Sequence, residues 1–426
     1  MNLTDGLFSD SELADVMGPR AQLSAMLTVE AALARVQARI GIIPDAAATR
    51  IADTARSLAP EPFDLLAATA KAGIAAQALV GALKKACGDS GQWAHFGATS
   101  QDIQDTGLVL QLRDALLILE ARLERLQATL GSKARDFAET AIPARTRFQM
   151  AAPTTLGAKI AVWRAPLQRD QERLQQLRPR LFNVSLYGAA GTGAALNPDM
   201  AGIRAALAAD LGLGAPVVPW HAARDAIAEL GGWLSLLTGT LGKIGVDLIL
   251  LSQSEISEVS AGSGGGSSTM PQKSNPVMAE ALVTLARLNA GAVGTLHQAM
   301  VHAQERDGSA LALEWQVLPD MIIRTGAALR LAQDLADSLT ARTDRIGASF
   351  TADKGAMLAE AAGFYLSRQM PREDALAIVS KALKMLNEGT YATLADALTE
   401  LEPGHNWPQI LAPQNNLGDA PGQAKY

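Results

Sequence analysis

The sequence predicts an all-α protein built on long helices, and three observations carry that expectation. Hydrophobic residues make up 48% of the 426-residue chain but aromatic residues only 4%. Its apolar content is therefore mainly Ala and Leu, which suits close-packed helices better than a β-sandwich. Apolar residues also recur at three- and four-residue steps over long stretches, and no series of short alternating segments bounded by turn residues marks out strands.

Residues from about Ala21 to Gly41 form the first clear helix. Leu23, Met26, Leu27, Leu33 and Val36 trace its apolar stripe, with Glu30 in the same register, and Gly41 followed by Pro44 closes it. Residues 1–104 are expected to make a small helical domain around it. From Asp105 the pattern turns heptad-like through Leu108, Leu112, Ala115, Leu119, Leu123, Leu126 and Leu130. A second long helix is expected from about Thr154 to Leu181. A third runs from about Arg224 to Val259, with Leu237, Leu241, Ile244, Leu248 and Leu251 on one seam, and a fourth starts at Pro276. Helices of roughly 25 to 35 residues exceed the ordinary globular length, so 105–345 reads as a central bundle that packs against further copies of the chain. Past about Phe350 the helical segments shorten and Gly, Pro and Asn accumulate, predicting a small C-terminal helical domain over 346–426 with a looser tail.

The formal net charge is −6, which argues against a nucleic-acid or anionic-membrane binder, so an anionic ligand has to be drawn by a local pocket. No secretory signal is visible and no uninterrupted apolar run reaches spanning length, so a cytoplasmic protein without membrane partners is expected. Cys87 is the only cysteine. That excludes intramolecular disulfides and thiolate clusters, and among apolar neighbours it reads as a core thiol.

The segment Gly262 to Pro276 joins a glycine-rich half to a stiff one. A bare Gly/Ser run is usually a linker, but Lys273, Asn275 and Pro276 follow in register. Asn275 is expected as N-cap and Pro276 at the first helical position, giving a helix start where amide donors, the dipole and Lys273 would hold a carboxylate or phosphate. Ser267 and Ser268 sit where a closing loop brings a hydroxyl onto that anion. A second helix start follows His95-Phe-Gly-Ala-Thr-Ser-Gln-Asp102, where Thr99 or Ser100 caps and Asp102 falls in the first turn. A third lies near Pro153 and Thr154, after Thr146-Arg147-Phe148-Gln149. The run from Gly188 lacks the third glycine and the strand context of a dinucleotide loop, so it reads as a tight turn near the site. His297 and His302 on the fourth long helix are five apart and do not share a face as a metal pair would.

Taken whole, Gly266-Ser-Ser-Thr-Met-Pro-Gln-Lys-Ser-Asn-Pro276 resembles the signature of the fumarase/aspartase superfamily, whose members cleave or form C–N and C–O bonds beside a carboxylate. The stretches His95–Thr106 and Thr146–Thr155 look like two further blocks of it. Trp220–Asp225, Glu305–Asp307 and Glu314–Pro319 resemble its bacterial carboxymuconate cycloisomerase branch, so the likeness runs from about Glu30 to Pro319.

The resemblance implies a three-domain all-α fold whose central bundle assembles into a homotetramer with active sites shared between subunits. It implies a small polycarboxylate substrate and no metal or coenzyme. Ser267 would be the general acid and base, with Lys273 beside it. Substrate contacts would come from His95, Thr99, Ser100, Asp102, Thr146, Arg147, Gln149, His221, Ser268, Met270 and Asn275. Two positions depart from the common pattern. Ser274 stands where relatives often carry Arg. Arg147 stands where many carry a proton-transferring His, and a guanidinium does not release protons near neutral pH, although it clamps carboxylates bidentately. The cycloisomerase branch shares that second departure. The implied activity is therefore intramolecular lactone formation in aromatic-acid catabolism, ahead of adenylosuccinate lyase or a related succinyl-amine lyase.

Overall fold

The computed structural model describes residues 3–196, 198–266, 270 and 272–426. Helices dominate it, and strands among the described residues form only two-stranded ladders. The chain divides into two compact units, one comprising Met1–Leu123, Arg169–Gly242 and Thr284–Arg330, the other Glu124–Gln168, Lys243–Val283 and Leu331–Tyr426. The division falls inside five long helices, Ser100–Asp136, Leu156–Leu181, Asp225–Ser252, Val277–Gln298 and Gly308–Ser338, each with residues in both units.

In the first unit, the helix Pro19–Arg39 starts with Pro at its first turn and buries Leu23, Met26, Leu27, Leu33 and Val36 as the stripe predicts. They share a core with the helices Asp45–Ser57, Ala75–Cys87 and Met200–Leu211, and Cys87 is part of it. The helix Ser100–Asp136 begins at the Thr99/Ser100 cap, five residues before the heptad pattern sets in. Val109, Leu112, Leu116, Leu119, Leu123, Leu126 and Leu130 are all buried along it at alternating three- and four-residue steps, a true heptad seam. Each such Leu contributes about 2 kcal/mol by burial. The helix Asp225–Ser252 repeats the device with Leu230, Leu234, Leu237, Leu241, Ile244, Leu248 and Leu251.

Three expectations need correction. Residues 141–155 form an antiparallel hairpin of Ala141–Thr146 with Gln149–Thr155, so Pro153 and Thr154 lie in a strand and the helix starts at Leu156. Proline biases the residue before it away from helix, and Ala152-Pro153-Thr154-Thr155 stays extended. The third long helix stops at Ser252. Glu258 accepts a backbone bond from Arg342, and Val259 pairs with Ala341.

Two helices, Asp225–Ser252 and Val277–Gln298, are by length and composition apolar enough to cross a membrane, although Lys243 and Asp247 in the first and Glu280 and Arg287 in the second interrupt their apolar runs. Beyond its buried seam the first leaves Leu236 and Val246 exposed, and the second leaves Leu288 exposed. Their apolar character is therefore spread over more than one face. Lastly, the C-terminal tail is held rather than loose. Asn416 donates to the carbonyls of Ile410 and Ala412, Ala424 is buried, and the Tyr426 carbonyl accepts from Arg164. Between these, Leu358, Leu366, Val379, Leu386, Leu394 and Leu398 pack around Trp407 in a core of their own.

Candidate active site

The start of the Ser100–Asp136 helix gathers five of the expected site residues within the first unit. Thr99 occupies the N-cap position, and its backbone N–H donates to Asp102 Oδ2 at 3.0 Å, half of a capping box. Asp102 does more than cap. Its Oδ2 also accepts from the Gly188 N–H at 3.0 Å, and its Oδ1 accepts from the Tyr187 N–H at 3.0 Å, the Ser185 hydroxyl at 3.4 Å and His221 Nε2 at 2.7 Å. A carboxylate with no solvent exposure is tolerated only when so fully paired. Asp102 is thus turned into the protein, tying the helix start to the 185–188 segment and to His221.

Gly188, Gly191 and Gly193 all have positive φ, so the stretch from 188 is a tight turn. It lies against the helix start, where the Gly97 carbonyl is 3.6 Å from the place of a Cβ on Gly188. Gly97 itself cannot carry a side chain, since a Cβ would sit 2.3 Å from Leu196 Cγ. Arg306 reaches the same place, donating to Thr99 Oγ1 at 3.3 Å and to the Ala189 carbonyl at 2.9 Å. Asp307 caps the helix that follows, accepting from Ser309 and Ala303, and these bonds hold its carboxyl down at about 2.

Below this layer Arg224 is fully buried between two carboxylates. Its Nε and Nη2 meet Glu314 at 2.9 and 2.5 Å, and its Nη1 and Nη2 meet Asp105 at 3.0 and 3.1 Å. Burial alone would lower its proton affinity, but the two carboxylates outweigh that and the net shift is upward. Burial pushes Asp105 up despite its Arg224 partner. The Arg224 guanidinium also lies 4.7 Å from the Trp220 ring centroid. This cluster ties the Trp220–Arg224 stretch to the buried Glu314 on its helix.

In the second unit, Thr146, Arg147 and Gln149 sit at the hairpin tip. Thr146 faces Gln149 in register, and the two residues between them, Arg147 and Phe148, have φ of 50° and 67°. A two-residue turn with both φ positive normally uses Asn-Gly or Gly. Arg and Phe there cost about 1 kcal/mol or more each, although the whole tip is exposed, Phe148 by 79%. The hairpin is anchored at its base, where Arg145 grips Glu258 through two bonds of 2.6 and 2.8 Å and Glu258 is fully buried. Near the same pair, burial lowers the Lys159 ammonium below its ordinary value.

The glycine-rich segment is framed rather than floppy. Gly265 pairs with Asn275 and Gly266 with Ser274. A Cβ on Gly264 would fall 2.1 Å from Ser274 Oγ, and one on Gly265 would fall 2.5 Å from Val277 Cγ2, so only glycine fits. Asn275 is in this ladder, and the helix Val277–Gln298 takes its first bond from Glu280 to the Pro276 carbonyl. Pro276 thus stands where Asn275 was expected as cap. The Lys273 N–H donates to the Met270 carbonyl at 3.0 Å, and both side chains are exposed. Ser267 and Ser268 lie outside the described residues. His297 is in the last turn of its helix while His302 follows the helix end, so the two do not share it.

The residues missed by sequence reasoning are Glu30, Ser185 and Tyr187. Glu30 had a signal, a carboxylate in the register of an apolar stripe. Ser185 and Tyr187 had none, because they reach Asp102 through a hydroxyl and a backbone amide that lie more than 80 positions away in the chain.

The family described as Lyase matches residues 6–291. The chain belongs to the fumarase/aspartase superfamily. A 3-carboxy-cis,cis-muconate cycloisomerase of Pseudomonas aeruginosa is 40% identical over 98% of the chain and 94% of its own length. The crystal structure of a 3-carboxy-cis,cis-muconate lactonizing enzyme from Pseudomonas putida matches this superfamily member with a TM-score of 0.93 at 36% identity, covering 99% of this chain and 97% of that one. An N-acetyl-S-(2-succino)cysteine lyase of Enterococcus italicus is 33% identical over 86% of the chain and 82% of its own length.

Proposed function

We propose that the protein is a cytoplasmic 3-carboxy-cis,cis-muconate cycloisomerase, interconverting that tricarboxylate and 4-carboxymuconolactone in protocatechuate catabolism. The observation that carries the reading is the near full-length similarity, at 36 to 40% identity, to the Pseudomonas cycloisomerase in sequence and to the lactonizing enzyme in structure.

In the lactone-forming direction a substrate carboxylate oxygen adds to one carbon of a C=C bond. The displaced electron pair moves to the neighbouring carbon, beside a second carboxylate, as an enediolate-like charge. Ser267 then delivers its hydroxyl proton to that carbon. The nucleophile is already anionic, so no separate base is required, and Arg147 serves as a carboxylate clamp where many relatives place a proton-transferring His. The Thr99 and Ser100 hydroxyls, Arg306, Gln149, Lys273 and Asn275 supply donors for the developing charge, each worth about 3 kcal/mol in a water-poor site. Asp102 and His221 hold the first group of these in position rather than touching substrate.

The exposed hairpin tip, with its strained turn and bare Phe148, and the exposed apolar residues Leu236, Val246 and Leu288 support assembly into a homotetramer in which neighbouring copies complete each site. A second reading, a lyase acting on a succinylated substrate, draws support from the relative in Enterococcus italicus.

A spectrophotometric assay with 3-carboxy-cis,cis-muconate and adenylosuccinate side by side separates the readings. Turnover of the first alone is expected, and turnover of only the second overturns the assignment. Ser267→Ala should abolish turnover with helical content and assembly unchanged. Retained activity would remove Ser267 from its role.

A further inference from the structure

A buried carboxylate on the Pro19–Arg39 helix grips the loop that leads into the candidate site. Glu30 is 1% exposed. Its Oε1 lies 2.6 Å from His95 Nδ1, and its Oε2 accepts the His95 backbone N–H at 3.1 Å. Two turns further along the same face Gln37, equally buried, donates to the Phe96 carbonyl at 2.7 Å. His95 adopts φ of 62°, a left-handed conformation that is costly for a residue with a side chain. Burying a carboxylate and straining the backbone at one point gains nothing in packing, and such combinations collect where a group has to be aimed.

The two bonds together fix the chemistry of the ring. A carboxylate accepts at both oxygens, so Nδ1 carries its hydrogen whether the imidazole is neutral or protonated. Only Nε2 remains, and it has no hydrogen-bond partner among the described residues while not being sealed in the interior. The same loop passes through Gly97 to Thr99, Ser100 and the Arg306 contact.

We infer that Glu30 is a positioning residue of this site, locking His95 as the Nδ1–H form so that Nε2 faces the bound substrate. The substrate class rests on the cycloisomerase reading; the lock itself does not.

Glu30→Gln tests it sharply. The backbone N–H of His95 can only donate, so the amide oxygen of Gln must face it and the amide NH2 is left facing Nδ1. Nδ1 then has to accept, and the neutral ring moves its hydrogen to Nε2. Nitrogen-15 NMR of histidine-labelled protein, with His95→Gln assigning its signals among the five histidines, should show Nδ1–H in the wild type and Nε2–H in Glu30→Gln. With 3-carboxy-cis,cis-muconate, kcat/KM should fall at least tenfold in Glu30→Gln and in His95→Gln, and the double variant should be no worse than His95→Gln alone.

An Nε2–H signal in the wild type overturns the inference even if Glu30→Gln fails to fold. So do an unchanged tautomer in a folded variant and single effects that multiply in the double. If the wild type turns over no 3-carboxy-cis,cis-muconate, the cycloisomerase reading fails while the NMR result still decides the lock.

Discussion

Asp102 Oδ1 and His221 Nε2 lie 2.7 Å apart at the point where the start of one long helix, the 185–188 segment and the stretch before the Asp225–Ser252 helix meet. The carboxylate has five donors and no acceptor facing it. Asp102→Asn replaces one accepting oxygen by an NH2 that must oppose at least one of them. Leaving a buried donor unpaired costs 1 to 3 kcal/mol, more beside charge, so a loss of about 3 kcal/mol is expected in urea unfolding. A variant as stable as the wild type would show that this hub is dispensable.

Arg147 offers a planar fork where Lys offers a point charge. Arg147→Lys should raise KM for 3-carboxy-cis,cis-muconate by about ten- to a hundredfold, the worth of a charge-assisted bond of 1.5 to 3 kcal/mol, with a smaller change in kcat. Unaltered steady-state constants would place Arg147 away from the substrate.

Glu258 is fully buried and is the two-pronged partner of Arg145 at the hairpin base. Removing one member of a buried ion pair strands the other, so Glu258→Gln should lose about 3 to 5 kcal/mol of stability. A calorimetric Tm equal to that of the wild type would contradict this.

Asp307 is held at about 2, below its ordinary 3.8, by Ser309 and the backbone N–H groups of Ala303, Ser309 and Ala310. A depressed carboxyl stabilises the folded chain above its unfolded pKa, and that contribution disappears as pH falls through the folded value. The stability gap between wild type and Asp307→Ala should therefore be full above about pH 4 and shrink toward pH 2. Denaturation midpoints across that range would show it, and a gap independent of pH would place the effect elsewhere.

The long helices were legible in the sequence because heptad spacing is a property of the residues themselves. Leu112, Leu119, Leu123, Leu126 and Leu130 were read correctly, and the Thr99 cap followed from local chemistry. The hairpin at 141–155 was not legible, because its turn uses Arg147 and Phe148 where glycine or asparagine would announce it. The inward orientation of Asp102 was equally hidden. Four of its five donors come from residues 83 to 119 positions away, and spacing within a motif carries no record of them.

Five helices are each shared between the two compact units, and this limits how the molecule can be taken apart. Any scissor placed at the border severs every one of them mid-span, exposing heptad leucines and unpaired carbonyls at ten new ends. Fragment expression and chimeras spliced along that border should yield insoluble material.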